Sequence, residues 1–186
     1  YEAALDTLRA AGHTYACACT RKDILRTARK TSAGYVYAGT CRNKGLPFSP
    51  GHAIRLKVGA AAQDAFNDAV QGPQAQDITD EVGDFVLKRR DGLYAYQLAV
   101  VCDDDAQGVN EVVRGADLLD NTSRQRLLQR LLCYSRPHYV HLPLALNAAG
   151  DKLSKQTFAS ALDDKAPLPA LAAAWRFLGQ KPLAKT

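Results

Sequence analysis

The spacing of apolar positions changes several times along the chain, and each change predicts a different element. Over residues 2–11, Ala4, Leu5 and Leu8 fall on one side at helical spacing and Gly12 supplies a stop, which predicts a helix. A second helix is predicted near Arg21–Lys30, with Thr20 as its N-cap and Asp23 at the third position of a partial capping pattern. Residues 33–60 hold five glycines and two prolines among short apolar or aromatic stretches, a pattern of turns and short strands. Residues 60–80 are polar and only loosely patterned.

Beyond that stretch the apolar runs lengthen. Asp84–Lys88 and Tyr94–Cys102 read as strands separated by the turn-forming Asp91-Gly92. Tyr96–Cys102 is almost continuously apolar, as a strand buried on both faces would be. Val109–Val113 predicts another strand, and Tyr139–Leu146 a further buried one. Between them Asn121, Thr122 or Ser123 caps a helix whose stripe is Leu127, Leu128, Leu131 and Leu132. A last helix is predicted over Pro169–Leu178, ended by Gly179. Strand and helix alternate after residue 94, which predicts an α/β parallel sheet there, whereas the cysteine-bearing first half lacks that rhythm and reads as an insert.

Charge sharpens this division. The 186 residues carry a formal +5, but residues 1–60 hold ten Lys/Arg against three acidic residues, so the rest of the chain is slightly negative. A basic N-terminal third suits a polyanion such as nucleic acid, or a solvated basic face with no partner. No apolar run approaches the roughly 20 residues of a membrane span, and no cationic-then-apolar leader is visible, so a cytoplasmic location is expected. The chain starts at Tyr1 rather than Met, and is expected to lack its natural beginning.

Three groups of residues carry candidate chemistry. Cys17 and Cys19, with Cys41 further on, can close around Zn²⁺ if the intervening segment folds back. Chemistry alone favours His13 as fourth ligand, because a neutral imidazole suits zinc better than a phenol, although Tyr35 and Tyr37 lie nearer Cys41 in sequence. Cys102 and Cys133 sit among apolar residues and read as core thiols. Lys152 and Lys155, three apart after a buried strand and the glycine-containing stretch 147–151, are placed to approach phosphates. Arg114 at a strand end offers a planar fork for a carboxylate, with the Tyr96 phenol beside it, or an ion pair with Asp103, Asp104 or Asp117.

With those residues in view, the chain resembles the glutamyl-Q tRNA(Asp) synthetase family, paralogues of glutamyl-tRNA synthetase. The resemblance runs from about Tyr15 to Gln156 and is carried by Gly83–Gly92 (GDFVLKRRDG), Tyr96–Asp104 (YQLAVVCDD), Val112–Asp120 (VVRGADLLD), His141–Leu144 (HLPL) and Lys152–Gln156 (KLSKQ). The last looks like the family's version of the class I Lys-Met-Ser-Lys-Ser motif.

The resemblance implies the C-terminal half of a class I Rossmann-like fold with a zinc-bearing α+β insert. Residues 1–14 would end the first Rossmann half, 15–93 would form the insert, 94–160 the second half and 161–186 a helical tail. It implies that Lys155 contacts ATP with Lys152 on the same loop, that Tyr96 and Arg114 bind L-glutamate, and that Cys17, Cys19, Tyr37 and Cys41 hold structural Zn²⁺. Implied partners are ATP with Mg²⁺, glutamate, and tRNA(Asp) bearing queuosine, whose wobble base would receive the glutamyl group. The family's N-terminal segment with its His-Ile-Gly-His-like motif has no counterpart here. Only 31 residues follow Lys155, which favours the short paralogue over a truncated glutamyl-tRNA synthetase. A third alternative is a zinc module that binds RNA without catalysis.

Overall fold

A computed structural model of the chain describes residues 1–31, 34–60, 62–154 and 161–181. The chain opens with helix α1 (Glu2–Ala10), whose buried face is Ala4, Leu5 and Leu8, as their spacing requires. Strand β1 (Thr14–Cys17) follows and leads into α2 (Arg21–Thr27). There the Thr20 hydroxyl accepts the Asp23 N–H while the Asp23 carboxylate accepts the Thr20 N–H, so the capping box is complete. Strands β2 (Arg29–Thr31) and β3 (Gly34–Val36) pair with each other, and β4 (Ala53–Leu56) lies antiparallel between β1 and β7 (Val86–Lys88).

The loosely patterned stretch is a regular hairpin, β5 (Gln63–Asp68) and β6 (Gly72–Asp77), followed by the short helix α3 (Ile78–Glu81). Its inward positions include Asp64 and Asp68, buried acids that hide the alternation from a polarity reading. Each is paired, Asp64 with Arg126 at 2.8 Å and Asp68 with His141 at 2.6 Å. Burial without such partners would be prohibitive for a carboxylate.

Tyr96–Ala106 is a helix, α4, and not the strand its apolar run predicts. Leu98 and Val101, one turn apart, are its fully buried residues, and three aspartates close the helix at the end where its dipole disfavours them. Local preference is therefore overridden by packing: Leu98 and Val101 fill the same core as Leu5, Leu8, Leu56, Leu87 and Leu128. Strand β8 (Glu111–Gly115), a 3₁₀ turn over Ala116–Asn121, α5 (Thr122–Leu132) and β9 (His138–Leu142) then form one strand–helix–strand unit. β8 and β9 are parallel, with Arg114 opposite His141. The second predicted strand thus stops at Leu142 rather than Leu146.

Cys102 is half-buried against the core, but Cys133 is not a core thiol. It is exposed at the end of α5 in the left-handed region, φ 57°, where the chain must reverse. The last helix, α6 (Pro167–Phe177), has no buried residue, and Gly179 ends it at φ 66°. No helix is long and apolar enough to cross a membrane among the described residues.

Candidate functional site

Two sites emerge from this framework. The first gathers the end of β1 and the loops after Cys17 and Val36. The Sγ atoms of Cys17, Cys19 and Cys41 lie within 4.8 Å of one another, and none is in a disulfide. A tetrahedral zinc with bonds of about 2.3 Å separates its thiolates by about 3.8 Å, so the spacing fits the ion. The fourth corner holds the Tyr37 hydroxyl, 3.4 Å from the Cys17 sulfur and 3.3 Å from that of Cys19. The Cys41 backbone N–H also donates to the Tyr37 oxygen at 2.9 Å. His13 belongs to no metal-like group among the described residues.

The electrostatics of this pocket are mixed. Burial opposes ionisation of Cys41, but hydrogen bonding from the Tyr37 phenol and the Ala18 N–H, with its neighbouring thiols, outweighs it and brings the thiol down to about 7. Burial pushes Cys19 up, and pushes the Tyr37 phenol far up with the help of its thiol neighbours. The Arg55 guanidinium, itself buried, stacks 4.1 Å from the Tyr37 ring centre. Asp84 ties the Cys41 loop to the sheet: its carboxylate accepts from Tyr15, Arg42 and the Val58 N–H at 2.7–2.8 Å. Gly83 lets this happen, because a Cβ there would stand 2.7 Å from Val36 in a φ of +64°.

The second site lies at the carboxyl ends of β8 and β9, where parallel strands commonly present ligands. Arg114 is half-buried; its Nε donates to His141 Nε2 at 3.0 Å and its Nη2 to the Thr122 hydroxyl at 2.9 Å. The guanidinium carbon is 5.4 Å from the centre of the Tyr139 ring. Arg114 therefore makes none of the ion pairs considered from sequence, although its charge partly offsets the burial that raises the Asp104 carboxyl. Tyr96 stands half-exposed on the first turn of α4. Its neighbour Gln97 donates to Asn121 at 2.5 Å and accepts from Gln125 at 3.0 Å, which holds that turn against the start of α5. Thr122, the first residue of α5, is the one that receives Arg114, so the first turn of α4 and Arg114 are both fastened to the start of α5.

Lys152 hydrogen-bonds the Asp117 carboxylate, just past Gly115. A Cβ at Gly115 would meet the Asp117 carboxylate at 2.5 Å and Leu144 at 3.2 Å, so any larger residue would push the carboxylate out of this position. Lys155 lies outside the described residues. Sequence reading missed Asp68 and His141 as members of this site; a polar hairpin gave no sign that Asp68 turns inward.

Residues 1–167 match the family of tRNA synthetases class I (E and Q), catalytic domain. The chain belongs to that family. Among curated relatives, the glutamyl-Q tRNA(Asp) synthetase of Burkholderia mallei is 57% identical over 96% of this chain and 62% of its own length. Those of Aromatoleum aromaticum and Chromobacterium violaceum are each 50% identical over 98% of this chain. The chain thus spans about three-fifths of the length of these synthetases. Among solved structures, a glutamate tRNA ligase of Elizabethkingia meningosepticum superposes with TM-score 0.68 at 23% identity, covering 84% of this chain and 34% of that one. The mixed α/β class I synthetase fold expected from sequence is therefore the fold observed.

Proposed function

We propose that this chain is the part of a glutamyl-Q tRNA(Asp) synthetase that holds the amino acid and a structural metal. Glutamate would be activated with ATP and its glutamyl group passed to queuosine of tRNA(Asp). The reading rests most on Arg114. His141 and Thr122 engage two of its five N–H donors, and Nη1 is left to pair with a substrate carboxylate at the carboxyl end of a parallel strand. The Tyr96 phenol, on the first turn of α4, would supply a second hydrogen-bonding group to the substrate.

In the proposed reaction the glutamate α-carboxylate attacks the α-phosphate of ATP, pyrophosphate leaves, and glutamyl-adenylate forms. The protein contributes no nucleophile. It would hold the two reactants in line and bring cations, Lys152 and Lys155 among them, to where negative charge builds, and Mg²⁺ would supply further charge neutralisation at the phosphates. A queuosine hydroxyl then takes the glutamyl group from the adenylate. Cys17, Cys19, Cys41 and Tyr37 would hold Zn²⁺, which supplies a structural cross-link between β1 and the 37–41 loop. In the proposed division, residues 15–93 form the zinc insert and 94–160 the nucleotide-fold half. The Arg9, His52, Lys88, Arg89 and Arg90 side chains line a cleft of about 490 Å³ beside the zinc-bearing sheet, a suitable track for an RNA backbone.

The test uses protein of the relatives' full length, labelled glutamate, and tRNA from cells that make or lack queuosine. Label confined to the queuosine-containing pool, and lost in Arg114→Ala, is the expected result. Label on tRNA(Glu) from both pools would instead make the protein an ordinary glutamyl-tRNA synthetase.

A further inference from the structure

Behind Arg114 runs a line of buried polar groups that the proposed reaction does not itself require. Asp68, at the end of β5, has its side chain sealed from solvent, as does His141 on β9. One Asp68 oxygen accepts three backbone N–H groups, from Val70 at 3.0 Å, Gln71 at 2.8 Å and His141 at 3.2 Å. The other lies 2.6 Å from His141 Nδ1. The opposite ring nitrogen, Nε2, is the one that faces Arg114 Nε at 3.0 Å.

Chemistry fixes the direction of this chain. A guanidinium has donors only, and an ionised carboxylate acceptors only. A neutral imidazole between them satisfies both ends in one tautomer: Nδ1 carries the proton and gives it to Asp68, while Nε2 offers its lone pair to Arg114. The backbone supports the same alignment, since Arg114 and His141 are opposed in the parallel β8–β9 register. Ala69 N–H also donates to the Tyr139 carbonyl at 3.0 Å, and the Gln71 side chain to the His141 carbonyl at 2.8 Å, fastening the hairpin turn to β9.

We propose that Asp68 and His141 are positioning residues for Arg114: the buried carboxylate selects the imidazole tautomer whose Nε2 aims the guanidinium at the substrate carboxylate. This rests on Arg114 being the glutamate-binding group. The role is unlike a general structural contact, because it depends on which nitrogen bears the proton. Asp68→Asn separates the two. The amide keeps an oxygen for the three backbone donors but turns an N–H toward Nδ1, which forces the proton to Nε2, where it confronts the Arg114 N–H.

The experiment combines three measurements on protein of the relatives' full length. Nitrogen-15 NMR of the histidine rings in the unsubstituted protein should show His141 protonated at Nδ1 near neutral pH; protonation at Nε2 alone overturns the proposal. Calorimetric titration with glutamate should show Asp68→Asn binding about 10-fold or more weakly, the scale of a lost hydrogen bond to a charged group. Zinc content and circular dichroism should stay unchanged. Gln71→Ala, which removes a neighbouring tie of the same turn, should leave glutamate affinity within about twofold. Equal weakening in both variants would make Asp68 a fold residue only and sink the idea. Arg114→Lys distinguishes the remaining case: if it leaves glutamate binding intact, the reading of the site fails first, and the positioning role with it.

Discussion

Asp68 holds a negative charge where water does not reach, and the groups around it decide what that costs. Burial alone would raise its pKa, but the N–H groups of Gln71, His141 and Val70 and the imidazole of His141 more than offset this and bring it down to about 2. An unfolded aspartate titrates near 3.9, so the folded state gains from this ionisation above about pH 4. That gain fades as pH falls from about 4 to 2. Its size is about 2–3 kcal/mol at neutral pH. Urea unfolding of the unsubstituted protein should therefore lose roughly that much over this window, with a shallower loss in Asp68→Asn. Identical pH profiles would contradict the assignment. A second residue-level outcome concerns the metal. Elemental analysis of the zinc-loaded protein should find about one zinc per chain, and Cys41→Ser should lose it. Retention of zinc in Tyr37→Phe together with loss in His13→Ala would move the fourth ligand to the histidine.

Helix α4 shows how an element can contradict its own sequence. Val100 and Val101 favour extended structure, and no side chain caps the helix at Ala95. Yet as a helix the segment sends Leu98 and Val101 into the core together and leaves Tyr96 half-exposed on its first turn. A strand would alternate its side chains between faces and separate Leu98 from Val101. Packing wins because Leu98 is completely buried and shares a core with residues from α1, β4, β7 and α5. Truncation with Leu98→Ala should cost about 2–5 kcal/mol, measured by denaturant unfolding, and should weaken glutamate binding by loosening the Tyr96 turn. Hairpin β5–β6 is the converse case. Its register was hidden because two of its inward residues are acids, and their partners Arg126 and His141 lie 62 and 73 residues away.

Over the whole molecule the charge is uneven, and the basic third carries the three-cysteine cluster rather than the Arg114 corner. Several cations lining the adjoining cleft already have acidic neighbours, Arg9 with Asp6, Lys88 with Glu2 and Arg89 with Asp91. Exposed pairs of this kind are weak, so a polyanion can compete for them. Affinity for tRNA should fall steeply with salt, by a log–log slope of about 0.7–0.9 per phosphate contacted, the range spanned by single strands and duplex DNA. Neutralising Arg89 and Arg90 together should shallow that slope without altering glutamate affinity. A slope unchanged by the double substitution would place the RNA elsewhere.

Much of this protein was legible in its residues before any tertiary structure. Helix α1, the capping box of α2 and the leucine stripe of α5 follow from local spacing, because each depends on neighbours within one or two turns, and the alternation of strand and helix after residue 94 pointed to the parallel β8–β9 pair. The three cysteines also announced a metal-like cluster, since thiols have few other reasons to gather near one another. Tertiary structure alone decided the rest. It turned Tyr96–Ala106 into a helix and put Asp68 behind His141 and Arg114. In each case the deciding partner is far off in sequence, so the energy that selects the arrangement exists only once the chain has closed.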